Sequence, residues 1–134
     1  MTTLQRPEVL HGVTIKVAAP EGKVYITINE HEGKAVEVKV TIGKGGTMLA
    51  AWADALARVI TLGLHSDLDI HSMLAEISGI TSDRARRDLK GVTIRSGPEA
   101  VAYAIMAYLR DKNARTAKEF RHDDAMENGS IDEG

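Results

Sequence analysis

No cysteine occurs among the 134 residues, which excludes disulfides, thiol nucleophiles, zinc–thiolate sites and thiol redox relays. No run approaches the roughly 18 consecutive apolar residues of a membrane span. The start, Met1-Thr2-Thr3-Leu4-Gln5-Arg6-Pro7, lacks the apolar stretch of a secretory leader. A soluble, cytoplasmic protein is expected, with no membrane partner. Surplus positive charge is missing too: 17 Lys and Arg stand against 19 Asp and Glu, a formal net charge of -2. Duplex nucleic acid needs an excess of cations and is not an expected partner. His11, His31, His65, His71 and His122 include no pair at the four-residue spacing that puts two imidazoles on one helix face, so no metal site is expected. Ser66, Ser72, Ser82 and Ser96 sit in no nucleophile elbow. Asp54, Glu76 and Glu99 are open to converging as acid and base, but each has a sufficient role in helix pairing or capping. No catalytic residue and no cofactor is expected. No internal repeat is visible.

What is present suits one domain, because the chain is long enough for a single core and not for two. Three stretches alternate with period two, as half-buried strands do. They are 11–18, with Val13, Ile15 and Val17 inward, 23–30, with Val24, Ile26 and Ile28 inward, and 35–42, with Val36, Val38, Val40 and Ile42 inward. The turns Pro20-Glu21-Gly22 and Glu32-Gly33-Lys34 are short, so the strands form an antiparallel meander and not a parallel nucleotide-binding sheet. Thr47 caps a helix running to about Leu64, whose stripe Leu49, Trp52, Leu56, Val59 and Ile60 is expected to cover the sheet. Its other face carries Asp54, Arg58, Thr61 and His65. Ser66-Asp67 or Asp69 starts a second helix ending at Gly79, Val92-Thr93-Ile94 adds a short extended piece, and Ser96-Gly97-Pro98-Glu99 starts a third helix that reaches about Phe120. The expected fold is α+β: a three-stranded or slightly larger antiparallel sheet covered by two or three helices, spanning 1–120. The acidic tail 121–134 is expected to be disordered.

The remaining chemistry is an anion-friendly surface. Ile42-Gly43-Lys44-Gly45-Gly46-Thr47 joins a strand to a helix start, where backbone N–H groups and a helix dipole sit beside one lysine. It has neither the Walker spacing nor the dinucleotide fingerprint, and a plain connector needing positive φ explains it equally well. Arg84, Arg86, Arg87, Lys90 and Arg95 crowd one segment, either as a solvated face with Asp83 and Asp88 or as part of an anion site. Arg58 lies four residues from Asp54, so it is open to an exposed ion pair or to a ligand. The candidate ligand-binding set is Lys44, Gly45, Arg58, Thr93, Arg95, Ser96 and Arg110, with Tyr25, Tyr103, Tyr108 or Trp52 available to stack a base.

The blocks Arg6-Pro7, Leu10-His11-Gly12-Val13-Thr14, Gly22-Lys23-Val24-Tyr25-Ile26-Thr27-Ile28-Asn29, Gly43-Lys44-Gly45-Gly46, Ala55-Leu56-Ala57-Arg58-Val59-Ile60 and Ser96-Gly97-Pro98-Glu99-Ala100-Val101-Ala102 keep an order that resembles the TSCPD domain. That domain ends many adenosylcobalamin-dependent ribonucleotide reductases and also occurs alone in phages and bacteria. Where the family nickname spells Thr-Ser-Cys-Pro-Asp, this chain has Arg95-Ser96-Gly97-Pro98-Glu99. Among such proteins it most resembles the first-described phage anti-Thoeris family. That resemblance implies a non-enzymatic protein that sequesters a cyclic ADP-ribose isomer or a cyclic oligonucleotide in the host cytoplasm. It also implies a homo-oligomer, from dimer to hexamer, with pockets at subunit interfaces using arginines such as Arg58 and Arg110. The alternative implied by the wider family is an accessory domain of a split cobalamin-dependent ribonucleotide reductase.

Overall fold

A computed structural model describes residues 5–43, 46–87 and 91–127, without the side chains of Arg86 and 116–127. Strands β1 (His11–Ala19), β2 (Gly22–His31) and β3 (Lys34–Ile42) form an antiparallel meander in the order β1-β2-β3. The period-two faces fall as the sequence predicts. Val17, Ala19, Val24, Ile26, Ile28, Val38 and Ile42 are buried, although Val13, near the start of β1, stays exposed. Thr14 and Thr27 face each other on the wet side with hydroxyl oxygens 2.7 Å apart. In the β2–β3 turn both Glu32 (φ 52°) and Gly33 (φ 79°) are left-handed, the geometry whose twist matches that of paired strands.

Helix α1 (Met48–His65) starts where expected, with the Thr47 side chain accepting from the Ala50 N–H at 3.1 Å. Its placement differs from expectation, because α1 runs beside the sheet along β3. Val38 and Val36 lie on the outer edge of an edge strand, where unpaired backbone groups need partners. The Thr61 hydroxyl accepts from the Val38 N–H at 3.0 Å and donates to the Val38 carbonyl at 3.2 Å, and His65 Nε2 lies 2.7 Å from the Val36 carbonyl oxygen. Of the residues read as α1's other face, Thr61 and His65 therefore close the sheet edge, while Asp54 and Arg58 stay exposed as an ion pair. In the expected covering stripe, Ile60 is buried and Leu56 half-buried, but Trp52 and Val59 are 71% and 65% exposed. By length and composition α1 also reaches the minimum for a membrane-crossing helix, which the sequence reading did not anticipate.

Helix α2 (Ile70–Ser78) is capped by Asp69, whose carboxylate accepts from the Ser72 N–H at 3.1 Å. A two-residue ladder of β4 (Arg86–Arg87) and β5 (Thr93–Ile94) follows, the former absent from the sequence reading. Helix α3 (Gly97–Glu127) covers the sheet and extends past the expected end near Phe120. Ala100, Val101, Ala102, Ala104, Ile105 and Tyr108 join the strand residues in one core. Residues 128–134 of the expected tail lie outside the described residues.

The α3 start is fixed by Ser96. Its hydroxyl accepts from the Glu99 N–H at 3.1 Å and donates to the Ile80 carbonyl at 2.6 Å, and the residue is buried. Ser96→Ala removes a cap and leaves a carbonyl without its donor, so unfolding in urea is expected to show a loss of about 2–3 kcal/mol. A loss below about 0.5 kcal/mol would assign the cap to other groups.

Candidate functional site

The N-terminal half of α3 and the short strand β5 enclose an open cavity of about 610 Å³. Tyr103, Met106 and Arg110 contribute from α3, Thr93 and Arg95 from β5 and its end, and Ser78 from the end of α2. The spacing of 103, 106 and 110 puts these side chains on one helix face. Tyr103 is half-buried and Arg110 exposed.

Arg95 is held rather than free. Its Nε donates to Glu99 Oε1 at 2.9 Å, its NH2 group donates to Oε2 at 2.5 Å and to the Ser78 carbonyl at 3.2 Å, and its backbone N–H donates to Oε1 at 3.0 Å. The Glu99 side chain is only 10% exposed. A carboxylate of the chain itself thus already occupies the positive end of α3. Hydrogen bonding from Arg95 holds the Glu99 carboxyl below the usual carboxylate range despite its burial. Arg110, by contrast, makes no ion pair among the described residues.

The structure therefore brings Thr93, Arg95 and Arg110 together in one cavity. Ser96 is not among the lining residues, and its hydroxyl is engaged in the cap. Arg58 lies elsewhere, lining a smaller cavity of about 310 Å³ with Lys39 and Asp54, and pairs with Asp54 at 3.0 Å in an exposed bridge. Lys44 and Gly45 lie outside the described residues. Of the aromatics considered for stacking, Tyr103 lines the larger cavity, Tyr25 is on the wet sheet face and Trp52 is on exposed α1. Tyr108 is buried and donates its hydroxyl to Glu30, which also meets Lys112 Nζ at 3.3 Å. Burial first, then the Glu30 contact, push the Tyr108 phenol up, while that same hydrogen bond lowers Glu30. Glu37 is lowered by Arg6, whose Nε donates to it at 2.9 Å, and by Asn29 at 2.7 Å.

Sequence reasoning missed the Arg95–Glu99 lock, although its i,i+4 spacing was visible. It also missed the Glu30–Tyr108–Lys112 cluster, because Glu30 lies 78 and 82 residues from its two partners and leaves no local signal. No group of three or more His, Cys, Asp or Glu suited to a metal occurs among the described residues.

Fold and site together define an α+β domain: a three-stranded meander closed at one edge by α1, roofed by α3, and carrying an open cavity of mixed lining beside the α3 start. The TSCPD domain family model matches residues 2–109, and the chain belongs to that family. No curated protein and no solved structure matches it.

Glu30, Glu37 and Glu99 all bind protons less readily folded than unfolded. Their stabilisation is fully present above the unfolded value of about 4.3 and is lost as pH falls through the lower folded values. The urea midpoint is expected to hold from neutrality to about pH 5 and fall below it. Glu99→Gln should flatten part of that fall, and an unchanged acid limb would remove Glu99 from the account.

Proposed function

We propose that the protein binds a phosphorylated nucleotide signal, a cyclic ADP-ribose isomer or a cyclic oligonucleotide, and sequesters it without transforming it. In this reading it acts as a homo-oligomer in the cytoplasm of an infected host, against a nucleotide-triggered defence. The observation that carries the reading is the cavity in which Arg110, with no ion pair among the described residues, stands with Thr93 and half-buried Tyr103. A guanidinium offers paired donors to phosphate, a threonine hydroxyl offers another, and an aromatic face accepts a base. The cavity volume lies within the roughly 300–1,000 Å³ typical of small-molecule sites.

Two features support binding over catalysis. The chain has no thiol for a redox relay. Glu99, the carboxylate at the cavity, is held ionised by Arg95 and so is a weak base and a poor proton donor near neutral pH. Because Arg58 and Arg110 line separate cavities within one chain, a ligand using both arginines would lie where two copies meet.

Isothermal titration calorimetry with cyclic ADP-ribose isomers and cyclic di- and trinucleotides is expected to show binding in the micromolar range or tighter. Nothing tighter than about 1 mM for any of them would end the proposal, because a sequestering protein competes with a receptor. Arg110→Ala is expected to weaken binding by about 10–100-fold through loss of a charge-assisted contact. The circular dichroism spectrum should stay unchanged, since this side chain is exposed.

A further inference from the structure

Helix α1 has two apolar faces, and the fold of one chain uses only one. The inner face carries Ala57 and Ile60 into the core region and sets Thr61 and His65 on the β3 edge. The outer face carries Met48, Trp52, Ala55, Val59 and Leu62, separated by steps of four, three, four and three. On a helix of 3.6 residues per turn these positions fall in one stripe about 80° wide, the spacing of a coiled-coil seam. The stripe is bare: Met48 is 77% exposed and Leu62 50%, alongside the exposed Trp52 and Val59. Next to it runs an apolar groove of about 360 Å³, with Trp52 and Val59 on one wall, Ile80 and Pro98 on the other, and Val40 and Ile42 beneath.

We infer that α1 pairs antiparallel with α1 of a second copy of this chain, across a two-fold axis at Ala55, so that Trp52 of each copy packs at the groove mouth of the other. The pattern around Ala55 reads almost the same in both directions, which is the self-complementarity that a two-fold interface requires. Antiparallel pairing sets Trp52 against Val59 and Met48 against Leu62, large against smaller. The alanine at the crossing lets the helices approach. With Leu49, the stripe leaves roughly 600 Å² of apolar surface in water, at the upper end of what a monomer shows. That is most of the roughly 800 Å² that each partner brings to a standard interface, and the groove walls extend it. A bilayer fits less well, because α1 carries one Asp and one Arg, without the basic flank of a membrane-surface helix.

The pairing rests on the homo-oligomeric part of the proposed function and not on its ligand, so it is tested without nucleotide. Sedimentation velocity of the full chain from about 1 to 100 µM is expected to show a dimer or a multiple of it. Trp52→Glu and Val59→Glu change exposed positions and should keep the circular dichroism spectrum while raising the dimer dissociation constant by roughly tenfold or more. The natural absence of cysteine makes a second readout clean. Ala55→Cys should cross-link two chains on oxidation, whereas Met48→Cys should not, because antiparallel pairing holds two Met48 positions about 21 Å apart along the axis. A monomer throughout would overturn both the seam and the oligomer. An oligomer indifferent to both glutamates, or cross-linking through Met48→Cys, would overturn the seam alone. Co-sedimentation with anionic phospholipid vesicles that depends on Trp52, with no dimer, would assign the stripe to a bilayer instead. Failure of every nucleotide in calorimetry would leave the seam standing.

Discussion

A three-stranded meander has one face to bury and two edges to protect, and the outer edge of β3 governs much of the rest. Its backbone groups at Val36 and Val38 are satisfied by side chains of α1, namely Thr61 and His65. Leaving such groups unpaired inside the fold costs about 1–3 kcal/mol each, so α1 is held alongside the strand. From that position it packs on the core only through Ala53, Leu56, Ile60 and Leu64, and the rest of the sheet still needs a cover. The task passes to α3, whose Val101, Ile105 and Tyr108 share one helix face and are buried in the core with the strand residues. The outward stripe of α1 is a consequence of the same arrangement: an apolar helix turned to serve an edge leaves its second apolar face in solvent.

The α3 start is the second fixed point. Ser96 ties the helix to Ile80, just beyond α2, and Arg95 ties Glu99 to Ser78 at the end of α2. The lock needs a hydroxyl at the cap, an acid in the first turn and a cation immediately before. All three stand within Arg95-Ser96-Gly97-Pro98-Glu99. A cysteine in the middle of this segment is not required for it, because Gly97 contributes only backbone to the helix start and its Cβ position would meet nothing closer than 3.5 Å. The wall that α3 gives this cavity is thereby set by a buried cap rather than by a surface loop, which holds Tyr103 on a rigid element.

The strands were legible because a period of two is written residue by residue, and Val24, Ile26 and Ile28 carry it without interruption. The helix starts were legible from Thr47, Asp69 and Ser96, whose caps act over three residues. The orientation of α1 was not. Apolar periodicity records which side chains avoid water and is silent about strand backbone groups, so Thr61 and His65 read as a wet face. Of the site, Thr93, Arg95 and Arg110 were chosen as cations and donors, and they do line one cavity, but Glu99 was weighed as an acid or base and as part of the helix start, and not as the partner of Arg95. Gly63 shows the same limit. Apolar periodicity says nothing of it, yet a Cβ there would come within 2.4 Å of the Met73 sulfur, so its smallness serves the approach of α2.

The apolar groove and the cavity that holds Arg110 share a wall. Val101 and Pro98 of α3 border the groove, while Ala102 and Glu99, one residue further on in each case, border the cavity. Anything seated in the groove therefore presses on the same two turns that shape the cavity. Those turns are held by the Ser96 cap and the Arg95–Glu99 lock and are packed against the sheet through Ala100, Val101 and Ile105. A close-packed core resists small displacements and transmits them as rigid shifts, so the helix moves as a unit or not at all. With the cap intact, occupation of the groove leaves the distances among Tyr103, Met106 and Arg110 unchanged, since all three ride on one helix. Coupling between the two surfaces is left to the other elements they share or face: the end of α2, where Ile77 borders the groove and Ser78 the cavity, and β5, which holds Thr93 by a ladder of only two residues.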